Sequence, residues 1–246
     1  MQIRILSNYD EMCREAANFI TGYISQNPDA LLCFPSGDTP TGIFKYLVED
    51  SRAGKLNLEN CTFVGLDEWE GLNGRNQGSG RHYMDEHLFV PLGIKPERIH
   101  FFDGSAVSLE QECSRINDFI RDSGPIDLMM VGLGLNGHVG LNEPGVDFSS
   151  YAHVSDLAPL TIESAKKYFR EETPLSRGIT LGTAHLLEAR VAVIIASGTK
   201  KATVIAKALE GEVSNEVPAS IIQRHPAAHI FLDGEAAAFL SGRQEG

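Results

Sequence analysis

Ala30-Leu-Leu-Cys-Phe-Pro-Ser-Gly-Asp-Thr-Pro-Thr-Gly42 changes character in mid-course. Ala30 to Phe34 is short and unbroken in its apolarity, as a strand buried on both faces should be. A small-residue turn follows, and then helical spacing, with Thr39 placed to cap a helix and Pro40 to take its first position. A buried strand that passes through a tight turn into a helix is the repeating unit of parallel α/β sheets.

The same unit recurs in both directions along the chain. Met1 to Leu6, Cys61 to Leu66, Arg98 to Phe102, Ile126 to Gly132, Arg190 to Ala196 and Ala227 to Leu232 read as further strands. Asn8-Tyr-Asp-Glu11 resembles a helix start, and Met12, Ala16, Phe19, Ile20, Tyr23 and Ile24 follow it at helical spacing. Other helical patterns fall near 40–52, 81–90, 108–122, 162–169, 199–210 and 234–241. The alternation predicts an α/β fold: a Rossmann-like open, mainly parallel sheet with helices on both faces. No Pro/Ser/Gly-rich linker divides it, so residues 1–246 read as one domain. Val146 to Thr180 has the weakest periodicity and reads as a mobile flap or a helical connection.

Bulk properties narrow the class of partner. A formal charge of −12 disfavours nucleic acid, whose phosphate backbone is held by surplus Lys and Arg. It leaves room for one phosphorylated small molecule, which needs a few local donors and a helix N-terminus. No apolar stretch reaches membrane-spanning length, and Met1-Gln-Ile-Arg-Ile-Leu6 reads as a strand instead of a signal peptide, so the cytoplasm is the expected location. Cys13, Cys33, Cys61 and Cys113 are widely spaced, without a C-x-x-C pair, and read as buried reduced thiols. Nothing in the sequence sets the oligomeric state, and a homo-oligomer is compatible with it.

In open parallel sheets the ligand site lies beyond the carboxyl ends of the strands. Four segments at such positions carry the chemistry. Ser36, Gly37 and Thr39 offer hydroxyls and close backbone approach at a helix start, although a plain capped turn would look the same. Phe63-Val-Gly-Leu-Asp-Glu-Trp-Glu-Gly-Leu72 places three acids directly after a strand. Asp67 or Glu68, desolvated by neighbours such as Trp69, is suited to be a general base, whereas Glu70 reads as a solvated turn residue. Met130-Val-Gly-Leu-Gly-Leu-Asn-Gly-His-Val-Gly-Leu-Asn-Glu-Pro-Gly145 crowds His138, Asn136, Asn142 and Glu143 among five glycines. A His held near a carboxylate can move protons close to neutral pH. In Ile194-Ile-Ala-Ser-Gly-Thr-Lys-Lys-Ala202, a lysine in the first turn of a helix would be relieved by an anion, and spacing alone does not choose between Lys200 and Lys201.

Taken in order, P-S-G-D-T-P, L-D-E-W, G-L-G-L-N-G-H-V-G-L-N-E-P-G, S-G-T-K-K-A and the later Val217-Pro-Ala-Ser-Ile-Ile222 resemble the amino-sugar-phosphate deaminase/isomerase family across almost the whole chain. The G-H-x-G-x-N-E-P element is highly specific. The resemblance implies a Rossmann-like sheet, no metal and no organic cofactor, and a small sugar phosphate as substrate: a 2-amino-2-deoxyhexose 6-phosphate, galactosamine- or glucosamine-6-phosphate, converted to a ketohexose 6-phosphate and ammonia. It implies that Asp67 moves a proton between carbons 2 and 1 and that His138 opens the sugar ring, with Glu143 and Asn136 orienting it. Ser36, Gly37 and Thr39 would hold the phosphate, with Lys201 as counter-charge and Lys167 beside it.

The chain departs from the family pattern in places. Asn136 stands where many members carry Asp, and Asp38 where Gly or Ala is common, which sets a carboxylate beside the phosphate unless it turns away toward a backbone N–H. Ser79-Gly-Arg-His82 replaces a Ser-Tyr-Tyr run, and L-D-E-W, G-L-N-E-P-G and Arg177-Gly-Ile-Thr-Leu-Gly182 look closer to the galactosamine branch. Two other readings compete. A 6-phosphogluconolactonase shares the fold and the first loop, but the N-G-H-V-G-L-N-E-P element speaks for the isomerase side. A non-catalytic sugar-phosphate sensor would normally add a basic helix-turn-helix, and it gives no reason to keep Asp67, His138 and Glu143 together.

Overall fold

The structure is a computed structural model that describes residues 1–241. In chain order its strands are β1 (Gln2–Leu6), β2 (Leu31–Phe34), β3 (Thr62–Gly65), β4 (Asp67–Trp69), β5 (Ile99–His100), β6 (Leu128–Gly132), β7 (His153–Asp156), β8 (Arg177–Thr180), β9 (Val191–Ala196) and β10 (Ala228–Asp233). The helices are α1 (Tyr9–Gln26), α2 (Asp38–Arg52), α3 (Gly80–Met84), α4 (Leu109–Ser123), α5 (Pro159–Ala165), α6 (Thr183–Glu188) and α7 (Ala202–Glu210). Seven strands make the main sheet, in the order β1-β10-β9-β6-β2-β3-β5, and every neighbouring pair is parallel.

Alternation along the strands explains why helices cover both faces. Leu32, Phe34, Phe63, Met130 and Phe231 point to one side, where they meet Ala16 and Ile20 of α1 and Phe44 and Leu47 of α2. Cys33, Val64, Val131, Ile194 and Ile230 point to the other, against Ile116 of α4 and Ile205 of α7. Full burial of each such side chain contributes about 1.5–3 kcal/mol, so the two layers hold the sheet as a rigid floor. Asn8 caps α1 as its sequence predicts, accepting from Glu11 N–H at 2.9 Å. All four cysteines are buried and reduced.

Three readings from the sequence are corrected here. Helix α2 begins at Asp38, with Gly37 as its N-cap, so Thr39 does not cap it and Pro40 lies inside its first turn. Gly37 has φ 116° and ψ 176°, which turns the chain early, and proline is tolerated there because first-turn N–H groups have no intrahelical partner. The pattern at 234–241 is a series of turns, not a helix. Asp233 accepts from Ala236 N–H at 2.7 Å and turns the backbone immediately after β10.

The weakly periodic 146–180 stretch is neither a flap nor simply a helical connection. It holds β7, α5, a turn of 3₁₀-helix at Lys166–Tyr168 and β8. β8 runs antiparallel between β4 and β7 in a second, three-stranded sheet. Its strands are three or four residues long, too short to show a period. This small sheet clamps the site from above the strand ends. Thr180 Oγ1 accepts from Leu141 N–H at 3.1 Å, and Leu181 N–H donates to Leu66 O at 2.8 Å, which ties the turn after β3 to the loop after β6.

Gly182 tests the clamp, because a Cβ there would stand 1.9 Å from the Ser150 carbonyl oxygen. Gly182→Ala should therefore lower stability by about 1–3 kcal/mol in urea unfolding, and an unchanged midpoint would show that the 150–152 backbone yields freely.

Candidate active site

Phe34, Gly65, Gly132 and Ala196 end β2, β3, β6 and β9, and the segments that follow them open onto one cavity of about 920 Å³. Ser36, Gly37, Thr39, Asp67, Asn136, His138, Lys167 and Lys201 all line it. Glu143 does not; it lies buried behind His138.

The first loop is held by two tyrosines that also line the cavity. Tyr83 Oη and Thr41 Oγ1 each donate to the Gly37 carbonyl at 3.0 Å. Tyr9 Oη accepts from Gly42 N–H and lies 3.0 Å from the carbonyls of Asp38 and Thr39. The carbonyls are thus occupied. Helix α2 has no side-chain cap, which leaves its first N–H groups to meet an anion. Gly37 also admits Tyr168, whose hydroxyl would lie 3.2 Å from a Cβ at that position.

Lys200 and Lys201 both line the cavity, but Lys200 is exposed, whereas Lys201 is half-buried and its ammonium donates to the Leu133 carbonyl. Burial, with the Lys167 charge adding, pulls the Lys201 amine down to about 8. Asp38 stays in the cavity wall instead of turning away, and its partner is the Lys167 ammonium and not a backbone N–H. Asp233 fixes the turn carrying Lys201 by accepting from Gly198 N–H at 3.1 Å and Ser197 Oγ at 2.5 Å.

The acids after β3 divide their work. Glu68 is 1% exposed and accepts from Ser79 Oγ at 2.6 Å and from the N–H groups of Trp69, Gly80 and Arg81 at 2.9–3.1 Å, so it anchors the start of α3. Glu70 pairs with Arg177 across β4 and β8, at 2.9 Å to Nε. Asp67 has no such partner. Burial, and then the neighbouring Glu68 charge, push its carboxyl up to about 7.

At the far side of the cavity His138 Nδ1 lies 3.4 Å from Glu143 Oε2 and 3.1 Å from Thr161 Oγ1. Asn136 Nδ2 donates to Glu143 Oε2 at 2.7 Å and its Oδ1 accepts from His138 N–H at 3.2 Å, so Asn136 ties acid and base together. Burial alone would raise Glu143, yet hydrogen bonding and charge from His138, with bonds from Thr161 and Asn136, hold it down to about 2. Gly134 is required here, because a Cβ would sit 2.4 Å from His138 Nε2. One carboxyl is thus poised to exchange a proton near neutrality, and another is kept ionised beside an imidazole. Among the described residues no His, Cys, Asp and Glu cluster suited to a metal ion is found.

Sequence reasoning missed Thr161, Tyr9, Tyr83 and Tyr168 in this wall, and the Leu133 carbonyl. Thr161 and Tyr168 lie in the stretch of weakest periodicity, and a main-chain carbonyl has no sequence signature.

Between the ordinary carboxylate value and about 7, the folded protein holds a proton on Asp67 that the unfolded chain releases, so stability falls as pH rises through that window. Asp67→Asn removes the loss. The melting temperature of the variant relative to its parent should rise by at least about 2–4 °C between pH 5 and pH 8, corresponding to roughly 1 kcal/mol; a difference independent of pH would contradict the burial.

A family model described as glucosamine-6-phosphate isomerases/6-phosphogluconolactonase matches residues 7–231. A glucosamine-6-phosphate deaminase of Geobacillus sp. (strain WCH70) is 36% identical over 241 residues, covering 98% of this chain and 96% of the relative. Glucosamine-6-phosphate deaminase 2 of Bacillus subtilis (strain 168) is 37% identical over 243 residues, covering 98% of both. The solved structure of a monomeric glucosamine-6-phosphate deaminase superposes with a TM-score of 0.94 at 33% identity, covering 97% of this chain and 99% of that one. The 6-phosphogluconolactonase of Trypanosoma brucei, at 19% identity and a TM-score of 0.73 over 96% of this chain and 97% of that one, shares the fold. With the strand-end loops, the paired acid–base groups and these full-length matches in agreement, the chain belongs to the glucosamine-6-phosphate isomerase/6-phosphogluconolactonase family.

Proposed function

We propose that this chain converts a 2-amino-2-deoxyhexose 6-phosphate into a ketohexose 6-phosphate and ammonia, working as a single domain in the cytoplasm. The observation that carries the reading is the pairing, across one cavity, of a partnerless Asp67 pushed up to about 7 with a His138 backed by the ionised Glu143. Names of relatives at 34–37% identity put glucosamine-6-phosphate first, against the galactosamine lean of the loop wording.

The phosphate rests at the N-terminus of α2 on Ser36, Gly37 and Thr39, with Lys201 as its counter-charge and Lys167 closing over it from the turn after α5. A phosphate dianion there favours the protonated form of Lys201, offsetting the burial that lowers its amine. His138 takes the proton of the anomeric hydroxyl and returns one to the ring oxygen, which opens the ring. Asp67, ionised, removes the proton from carbon 2 while the carbon 1 oxygen takes a proton from the substrate's own ammonium, which gives an enolamine; Asp67 then delivers its proton to carbon 1, which leaves a protonated ketose imine. Water adds to the imine carbon, and ammonia departs as the ketone forms. Every step is a proton transfer or a water addition within reach of these two groups, and Asn136 and Glu143 keep the imidazole oriented.

The direct test is ammonia release, measured side by side on glucosamine-6-phosphate and galactosamine-6-phosphate. Release from at least one, together with loss of at least about a hundredfold in Asp67→Asn, is expected. Silence on both with hydrolysis of 6-phosphogluconolactone would overturn the reading.

Because Asp67 must be ionised to act, kcat/KM should fall as pH drops through about 7. Lys201→Ala should raise KM for phosphorylated substrate by about tenfold or more, and a variant that lowers only kcat would remove Lys201 from the phosphate.

A further inference from the structure

Thr161 is 5% exposed and stands on the inner face of α5, with its hydroxyl 3.1 Å from His138 Nδ1. That is shorter than the 3.4 Å from Nδ1 to Glu143 Oε2. The same hydroxyl helps to keep the Glu143 carboxyl ionised. The placement follows from how α5 begins. Ala158, its N-cap, donates its N–H to Glu143 Oε1 at 3.2 Å, and Pro159 opens the first turn. Thr161 N–H then donates back to the Ala158 carbonyl at 2.9 Å, which turns the threonine side chain toward the carboxylate that pins the helix.

A hydroxyl has one proton to give and lone pairs with which to accept. An ionised carboxylate accepts only, so the Thr161 proton goes to Glu143 and its oxygen is left to accept from the imidazole. Building on the function proposed above, we infer that Thr161 is a positioning residue for His138: it takes the Nδ1–H and passes its own proton toward Glu143, which fixes the ring tautomer and leaves Nε2 free for the sugar. Without the hydroxyl, Nδ1 keeps only the longer contact to Glu143, and the Nδ1–H form of the ring is held less firmly. The same helix leads within one turn to Lys167 and Tyr168 beside the phosphate loop, so the residue orienting the ring-opening base and the one closing over the phosphate share one short element.

The test uses Thr161→Val, which keeps the shape and removes the hydroxyl, and Thr161→Ser, which restores it. In ligand-free protein with 15N-labelled histidine, the His138 signals being identified by their loss in His138→Gln, the neutral ring should carry its proton on Nδ1 in the parent and in Thr161→Ser. Thr161→Val should shift population to the Nε2–H form. With glucosamine-6-phosphate, Thr161→Val should lower kcat about tenfold with KM within about twofold, and Thr161→Ser should recover most of the loss. An unchanged tautomer in Thr161→Val overturns the inference whatever the kinetics, as does a serine variant as impaired as the valine one. If the parent releases no ammonia from any amino-sugar phosphate, the proposed function fails, while the ring signals still decide the role of Thr161.

Discussion

Two carboxyl groups are kept from water here in opposite states, and the rest of the site is arranged around that opposition. Asp67 is half-buried in the cavity wall without a counter-charge among the described residues, so its proton is held to near neutrality. Glu143 is buried with Asn136, His138, Thr161 and the Ala158 N–H around it, and so it stays ionised. Burial costs a lone charge several kcal/mol and a well-bonded one far less. The fold can meet both conditions because the two groups leave the sheet on different strands, β3 and β6, with β2 between them. A seven-stranded floor with helices on both faces keeps that separation fixed.

At the opposite wall an acidic chain makes room for an anion by local means. The net charge of −12 belongs to the chain as a whole, whereas the first loop presents an uncapped helix N-terminus to the cavity that Lys201 also lines. Asp38, the unfavourable charge in that loop, is offset at the cavity wall by its pair with Lys167. An exposed pair of this kind adds about 0–1 kcal/mol to stability. Its effect is on orientation: it holds the segment after α5 over the cavity mouth.

The small antiparallel sheet connects these walls. Because Leu66 and Leu141 are both tied to the Thr180–Leu181 strand end, the Asp67 turn and the His138 loop cannot drift apart without breaking a hydrogen bond to Thr180 Oγ1 or Leu181 N–H. Glu68 contributes from the other side by gathering Ser79, Gly80 and Arg81. An acid that looked on the sequence like a rival to Asp67 is therefore part of the scaffold that holds it.

The sequence by itself determined the alternation of buried strands and amphipathic helices, the parallel sheet, and the position of Asp67, His138, Asn136, Glu143 and the small-residue loop after strands. Those features are written in runs of apolar residues and in glycine-dense turns, which are local and periodic. Tertiary structure alone decided that Lys201 and not Lys200 is half-buried against the Leu133 carbonyl, that Asp38 pairs with Lys167, and that Glu68 is an anchor. It also decided that 146–180 folds into two short strands and a helix that sets Thr161 against His138. Each of these depends on contacts between residues 11 to more than 100 positions apart, or on strands too short to carry a period. Local pattern fixes which way a side chain points along its own element, and only packing fixes what it meets there.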